Sequence, residues 1–341
     1  VELLGLALLT LVLSLALLIK ASDLFTESAE KLGLKLGVPA LIIGVTIVAL
    51  GTSLPELVSS IFAVIAREPE IVFGNVVGSN ITNIFLVIGA AALFSKGLYL
   101  KEKLPWLDQA FFIGSSCIIT FVALCISSSS QITFFSKNFE IIPLEGWICL
   151  VFLGIYMIYN IIKRNFTPID AHPLPEDKFT WITALILILS PVFIHLGAKY
   201  TIESAVSIAK CINVGDEIIA ISAIALGTSL PELSVSVIAA RKGKIEIAVG
   251  NVVGSNIWNS AMVLGITSQF GWFQQISLPV KLSIVLLGIP FMWLGTILLL
   301  VIIRDKTVKR REGAVLLLLY VIFIFLVFLA PYIARLCMKM V

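Results

Sequence analysis

Charge is what this 341-residue sequence has least of. Only 13% of its residues are charged, where a soluble globular domain carries about 25%. Hydrophobic residues make up 59% and the mean hydropathy is +1.07. That excludes a soluble enzyme, and it excludes disorder, which needs low hydrophobicity and high charge. Lys and Arg (24) nearly balance Asp and Glu (21), so no basic surface is expected for nucleic acid. Cysteine is also sparse. Cys117, Cys125, Cys149, Cys211 and Cys337 form no C-x-x-C pair and their number is odd, which argues against a disulfide framework or a zinc site. They read as small apolar fillers. Histidine is limited to His172 and His195. The first apolar run, Leu3 to Ile19, lacks a small-residue cleavage site, so it is expected to stay in the membrane.

Long apolar runs are what is present. A spanning helix needs about 20 of them in a row. Ten segments qualify, near 2–20, 38–66, 70–95, 105–128, 143–163, 178–208, 214–241, 245–272, 277–304 and 312–337. They do not alternate polar and apolar residues as the strands of a transmembrane barrel do. The expectation is an all-α membrane protein with ten transmembrane helices. With the N-terminus outside, 17 of the 24 Lys and Arg fall on the inner side and 7 on the outer. The excess of inner positive charge therefore predicts both termini outside a cell membrane.

The chain repeats itself. GTSLPEL occurs at Gly51–Leu57 and at Gly227–Leu233, and GNVVGSNI at Gly74–Ile81 and at Gly250–Ile257. Both pairs stand at one and the same offset, and at that offset 41–90 match 217–266 at 26 of 50 positions. Glu27-Ser28-Ala29 matches Glu203-Ser204-Ala205 in the same register. Two five-helix units follow: 1–163 with its motifs in 41–90, and 178–341 with its motifs in 217–266. A linker, 164–177, carries three prolines between them. Five is odd, so the second unit enters the membrane inverted. Inverted repeats are a common transporter architecture, with the substrate site between the copies near the midplane.

Glu56 and Glu232 lie inside the doubled motif, near the middle of the second and seventh segments. Intramembrane carboxylates are costly and face a cavity or a partner, and no Lys, Arg or His lies in the same central turns. A cation site with two anionic ligands is one reading. A protonated Glu satisfied by neighbouring helices is the other, and it is harder to sustain for two related residues. Pro55 and Pro231 precede the glutamates. An interior proline removes a donor and clashes with the carbonyl four residues back, so a broken or kinked helix is expected, freeing the carbonyls of Ala49, Leu50 and Gly51. Thr52, Glu56 and Ser60 share i, i+4, i+8 spacing, as do Thr228, Glu232 and Ser236, Asn75, Ser79 and Asn83, and Asn251, Ser255 and Asn259. Ser79, Asn83, Ser255 and Asn259 are expected as ligands. Asn75 and Asn251 sit beside the small-residue pairs Gly74/Gly78 and Gly250/Gly254 and are expected to serve helix packing. All these donors are oxygens, which suits hard cations such as Na⁺ or Ca²⁺. Two carboxylates neutralise one Ca²⁺, or hold several Na⁺ in turn.

With these motifs the chain resembles the cation/calcium exchanger superfamily, in the form of a compact prokaryotic sodium/calcium exchanger, over nearly its whole length. The resemblance implies an antiporter, not an enzyme, that exchanges Na⁺ for Ca²⁺ by alternating access. It implies no cofactor beyond the transported ions, and no partner beyond those ions and the lipid bilayer; a monomer is expected. Carried over by motif, the Ca²⁺ ligands are Thr52, Glu56, Thr228 and Glu232. Na⁺ ligands include the Ala49 and Ala225 carbonyls and the side chains of Ser53, Ser79, Ser229 and Ser255. The first and sixth helices are the implied sliding gates. Some prokaryotic members and the potassium-dependent exchangers carry Asp where Asn259 stands. Asn at both 83 and 259 favours the potassium-independent type. Ca²⁺/H⁺ antiport on the same fold, K⁺-dependent exchange and a cation channel are the alternatives.

Overall fold

The computed structural model describes residues 2–125, 139–141, 143–164, 180–211, 227–276, 278–280 and 284–339. They form ten helical stretches: α1 (Glu2–Leu36), α2 (Ala40–Ile65), α3 (Glu70–Phe94), α4 (Trp106–Cys125), α5 (Pro143–Arg164), α6 (Trp181–Cys211), α7 (Leu230–Arg241), α8 (245–273), α9 (Ile284–Ile303) and α10 (Arg310–Lys339). Eight are long and apolar enough to cross a bilayer. The described part of α7 is too short. The length of α8 suffices, but Asn251, Asn256 and Asn259 dilute its hydropathy.

Burial separates the centre from the rim. Residues 247–265 of α8 are buried on every side, and α3 is nearly so. A helix covered all round belongs to the core, and the polar residues of α8 therefore face protein rather than lipid. The outer helices expose leucines and valines, such as Leu6, Leu9 and Val12 on α1 and Leu318 and Val321 on α10. These suit contact with acyl chains. Trp106, Trp147 and Trp181 are exposed at the starts of helices, and Trp272 at the end of one. Tryptophan favours that level, where lipid meets water.

The first apolar segment ends near residue 20 in the sequence, yet α1 runs on to Leu36. The stretch after Lys20 is polar but still one-sided: Ala21, Ser22, Phe25, Thr26, Ser28 and Ala29 are buried, at helical spacing. Glu27 and Glu203, expected in segments after helices, lie within α1 and α6. Those two helices pack lengthwise on each other. They approach so closely at Gly197 that an added Cβ would lie 2.8 Å from the Leu18 backbone nitrogen. Two short antiparallel ribbons tie loops together: Leu98–Tyr99 with Thr307–Val308, and Phe139–Ile141 with Leu278–Val280.

Gly250 and Gly254 pack as expected. A Cβ on Gly250 would lie 2.9 Å from the Leu41 carbonyl, and one on Gly254 2.6 Å from Val45 and Ala49. Among the described residues only Ile284 lies within 4 Å of a Cβ on Gly74, and nothing lies within 4 Å of one on Gly78. The residues matching Val45 and Ala49 at the repeat offset, 221 and 225, lie outside the described residues.

Candidate ion-binding site

The two proline motifs do not behave alike. In the second copy a turn at Thr228–Ser229 precedes α7, with Pro231 in its first turn. This is the expected break. In the first copy the helix runs straight through Pro55 from Ala49 to Ile65, and the irregularity lies a turn earlier, as a π-helical stretch at Gly44–Val48. The wider turn loosens the hydrogen-bond ladder before the proline. Trp258 of α8 donates to the Val45 carbonyl there (3.0 Å). Further π-helical stretches begin at Asn83 and Asn259, matching positions of the two copies, within α3 and α8. Such bulges are frequent at functional sites. The sequence carries no signal for them beyond the doubled asparagines.

Glu56 and Glu232 are both completely buried. They lie close enough to interact with each other, and Thr52 and Ser53 close enough to interact with Glu232. The structure thus brings the two copies of the motif together. Among the described residues none of the four carboxylate oxygens has a hydrogen-bond partner. The Ser53 and Ser229 hydroxyls and the Oδ1 atoms of Asn83 and Asn259 are likewise buried without a hydrogen-bond partner among the described residues. Buried polar groups are nearly always satisfied, so this collection of orphaned oxygens at matching positions of the repeat is what marks the site.

The oxygens that do have partners are held in matched pairs. Thr52 donates to Asn251 Oδ1 (3.0 Å), and Thr228 to Asn75 Oδ1 (3.2 Å). In turn Asn251 donates to Ser236 (2.9 Å) and Asn75 to Ser60 (3.1 Å). Ser255 lies 3.3 Å from the Thr52 hydroxyl, and Ser79 3.3 Å from that of Thr228. Each of these contacts has its counterpart at the repeat offset. A hydroxyl has one proton and two lone pairs. With its proton committed to an asparagine, each threonine presents lone pairs. Asn75 and Asn251 thus hydrogen-bond across helix contacts, as their place beside the small-residue pairs suggested, and they also bridge the copies and set the threonines' polarity. The Ala49 carbonyl lies 3.3 Å from Thr52. Ala225 lies outside the described residues.

Asn80 and Asn256 were missed in the sequence, although both stand in the doubled GNVVGSNI. Asn83 donates to Asn256 Oδ1 (3.0 Å) and Asn259 to Asn80 Oδ1 (3.3 Å). An amide whose NH₂ is held in this way presents its oxygen on the other side. The i, i+4 stripe passes over 80 and 256 because they act through 83 and 259. The signal was the motif itself: its last asparagine had no assigned task.

A helical membrane bundle with anionic oxygens gathered at its centre is the architecture of a cation transporter. The family profile described as "Sodium/calcium exchanger protein" matches residues 6–163 and again 182–329. "Sodium/calcium exchanger MaX1" of Methanosarcina acetivorans is 33% identical, over 94% of this chain and 98% of its own. "Inner membrane protein YrbG" of Escherichia coli is 31% identical over 75% of this chain and 77% of its own. A solved structure of the sodium-calcium exchanger NCX_Mj superposes with a TM-score of 0.73 at 27% identity, covering 94% of this chain and 98% of that one. The chain belongs to the sodium/calcium exchanger family.

Proposed function

We propose that the protein exchanges Na⁺ for Ca²⁺ across a cell membrane by alternating access. The observation that carries this reading is the pair of fully buried carboxylates, Glu56 and Glu232, with all four oxygens unpartnered among the described residues. Leaving two such charges uncompensated inside a bilayer is prohibitive. A divalent ion, or two Na⁺, neutralises them. Thr52, Glu56, Thr228 and Glu232 form the Ca²⁺ ligand set. Ser53, Ser229, Asn83 and Asn259 supply further oxygens, toward the six to eight that Ca²⁺ takes. Na⁺ uses the same carboxylates with Ala49, Ser79, Ser255 and Ala225 at the edges. Competition for the shared glutamates couples the two fluxes, because the emptied carboxylates do not cross unpaired. The names of MaX1 and NCX_Mj support the Na⁺ and Ca²⁺ assignment.

In this reading the chain has ten spans in two inverted units, 1–163 and 178–341, joined by 164–177, with both termini outside. The twofold family match and the hydrogen bonds paired at the repeat offset support it. On the inner side Lys242, in the turn after α7, pairs with Asp23 and with Glu27 (2.7 Å) of α1, while Lys244 pairs with Glu30 (2.7 Å). The counterparts of Lys242 and Lys244 are Ala66 and Glu68. Among the described residues the matching end of α6 has no such tie, and Glu203 pairs only with Lys199 of its own helix (3.9 Å). A cleft of about 180 Å³ opens there, beside Thr10 and Glu203. The ties on the inner side fit a carrier closed on that side.

Calorimetry on the purified protein tests the site. Ca²⁺ binding is expected, suppressed by Na⁺ and absent in Glu56→Gln. Ca²⁺ binding that ignores Na⁺, or that persists in the variant, contradicts the proposal.

A further inference from the structure

Away from the central site, a groove of about 510 Å³ runs between α4 and α9. Its wall is apolar along most of its length, with Ile113 from α4 and Trp293, Ile297 and Leu300 from α9. At its mouth stand Lys103 and Arg304. Both are exposed, and among the described residues no ion pair is recorded for either. Glu102 and Asp305, their neighbours in sequence, do not line the groove.

The mouth is braced. The ribbon Leu98–Tyr99 with Thr307–Val308 joins the loops that carry the two cations. Leu100 donates to the Lys306 carbonyl (2.8 Å), and the Lys306 ammonium to the Lys101 carbonyl (3.1 Å). The spans themselves begin at Trp106 and end at Ile303. Lys103 and Arg304 therefore sit just beyond the apolar part of each helix, and the exposed ring of Trp106 marks the same level. From Ile303 down to Trp293 is ten residues, about 15 Å of helix. That is roughly half of the ~30 Å hydrocarbon core, the depth of one leaflet.

We propose that this groove is a binding site for an anionic phospholipid. One acyl chain lies along Leu300, Ile297 and Trp293, and the headgroup phosphate lies between Lys103 and Arg304. The charge pattern selects the lipid: two cations with no acid in the wall complement a headgroup of net negative charge, and a zwitterionic one leaves them uncompensated. Basic pockets between spanning helices bind acidic headgroups on the same physical grounds.

Trp293 is a reporter already in place. The protein is reconstituted in phosphatidylcholine vesicles containing a small fraction of either brominated phosphatidylglycerol or brominated phosphatidylcholine. Bromine quenches tryptophan on contact, and the difference from Trp293→Phe isolates the groove's contribution. Quenching of Trp293 by the glycerol lipid is expected at roughly tenfold lower mole fraction than by the choline lipid. Lys103→Gln with Arg304→Gln should remove the preference, and Lys103→Glu with Arg304→Glu should invert it. Lys309→Gln with Arg310→Gln, which lie outside the groove, should leave it intact. Equal quenching by the two lipids overturns the proposal. So does a preference that survives loss of both cations, or one that falls equally in the control pair. None of these readings depends on which ion the central site carries.

Discussion

The side chains of Asn80 and Asn256 reach across to each other's backbone: Asn256 donates to the Asn80 carbonyl at 3.2 Å, and Asn80 to the Asn256 carbonyl at 3.4 Å. The two residues are matching positions of the repeat and lie on α3 and α8, the most buried helices of the bundle. The same two amides hold Asn83 and Asn259. The centre of the molecule is therefore a four-asparagine clasp that joins the copies and leaves two buried amide oxygens, Asn83 Oδ1 and Asn259 Oδ1, without a partner among the described residues.

Replacing Asn80 by Leu keeps the volume and removes the clasp. It leaves the Asn259 amide without its acceptor, a buried group with a cost of about 1–3 kcal/mol when left without its partner, and removes one hydrogen bond each from the Ser260 hydroxyl and the Asn256 carbonyl. A lower unfolding temperature is expected, along with weaker Na⁺ dependence of transport, because Asn259 is free to turn its NH₂ toward the cation. Thermal unfolding and a Na⁺ titration of Ca²⁺ flux measure both. Unchanged Na⁺ dependence in a folded Asn80→Leu protein would show that these amides do not position ligands.

The threonines make a similar case through their asparagines. Asn251→Leu removes the acceptor of the Thr52 proton and leaves Ser236 without its donor. Thr52 then has no fixed reason to present lone pairs to the site. Apparent Ca²⁺ affinity should fall about tenfold or more, as for loss of a group that orients a metal ligand. Asn251→Asp retains the acceptor and should lose less. Equal losses in the two variants would mean that packing alone is at work.

Much of this was legible in the sequence because a repeat filters noise. One Glu beside a proline is ambiguous, but two at a fixed offset in identical motifs are much less so, and both prove buried and unpartnered among the described residues. The buried, unpartnered oxygens of Ser53, Ser229, Asn83 and Asn259 also stand at positions doubled by the repeat. Three things were not. The course of α1 past Lys20 was hidden because its polar half stays helical through contacts with α6 and the α7–α8 turn, not through hydrophobicity. The irregularity in α2 was placed at Pro55, although it lies at Gly44–Val48: a backbone defect relaxes where neighbours such as Trp258 can take the freed carbonyl. Asn80 and Asn256 escaped because stripe logic finds residues that face a site, and these two face the residues that face it.

If α1 slides, its ion pairs with the α7–α8 turn must part in each cycle. Glu27→Cys with Lys242→Cys, in a background lacking Cys117, Cys125, Cys149, Cys211 and Cys337, joined by a short bifunctional methanethiosulfonate that replaces the length of the two side chains, should halt exchange until the link is reduced. Continued exchange with the link formed would exclude that movement. The pH sign is also fixed. Burial opposes the Lys242 charge, but its hydrogen bonds to Asp23 and Glu27 outweigh this and raise its pKa. A raised lysine pKa adds stability that is complete below the unfolded value, near 10.4, and is lost only as pH climbs through the folded one. The tie is therefore intact across the neutral range, and moderate acidification from pH 8 to 7 should not loosen it.

Gly197 sets how closely α1 and α6 can run. With a Cβ 2.8–2.9 Å from Leu18 backbone atoms, Gly197→Val must push the helices apart. Reduced stability and loss of exchange are expected from unfolding and flux assays; wild-type behaviour would show that the α1–α6 contact is not needed at this spacing.

The central claim is that Na⁺ and Ca²⁺ compete for Glu56 and Glu232. The most direct measurement is radiolabelled Ca²⁺ uptake into proteoliposomes, with Na⁺, K⁺ and pH gradients imposed one at a time. Uptake driven by an outward Na⁺ gradient alone, and lost in both Glu56→Gln and Glu232→Gln, is the predicted result. Uptake driven by a pH gradient without Na⁺, or Na⁺-driven uptake that survives in either variant, would contradict it.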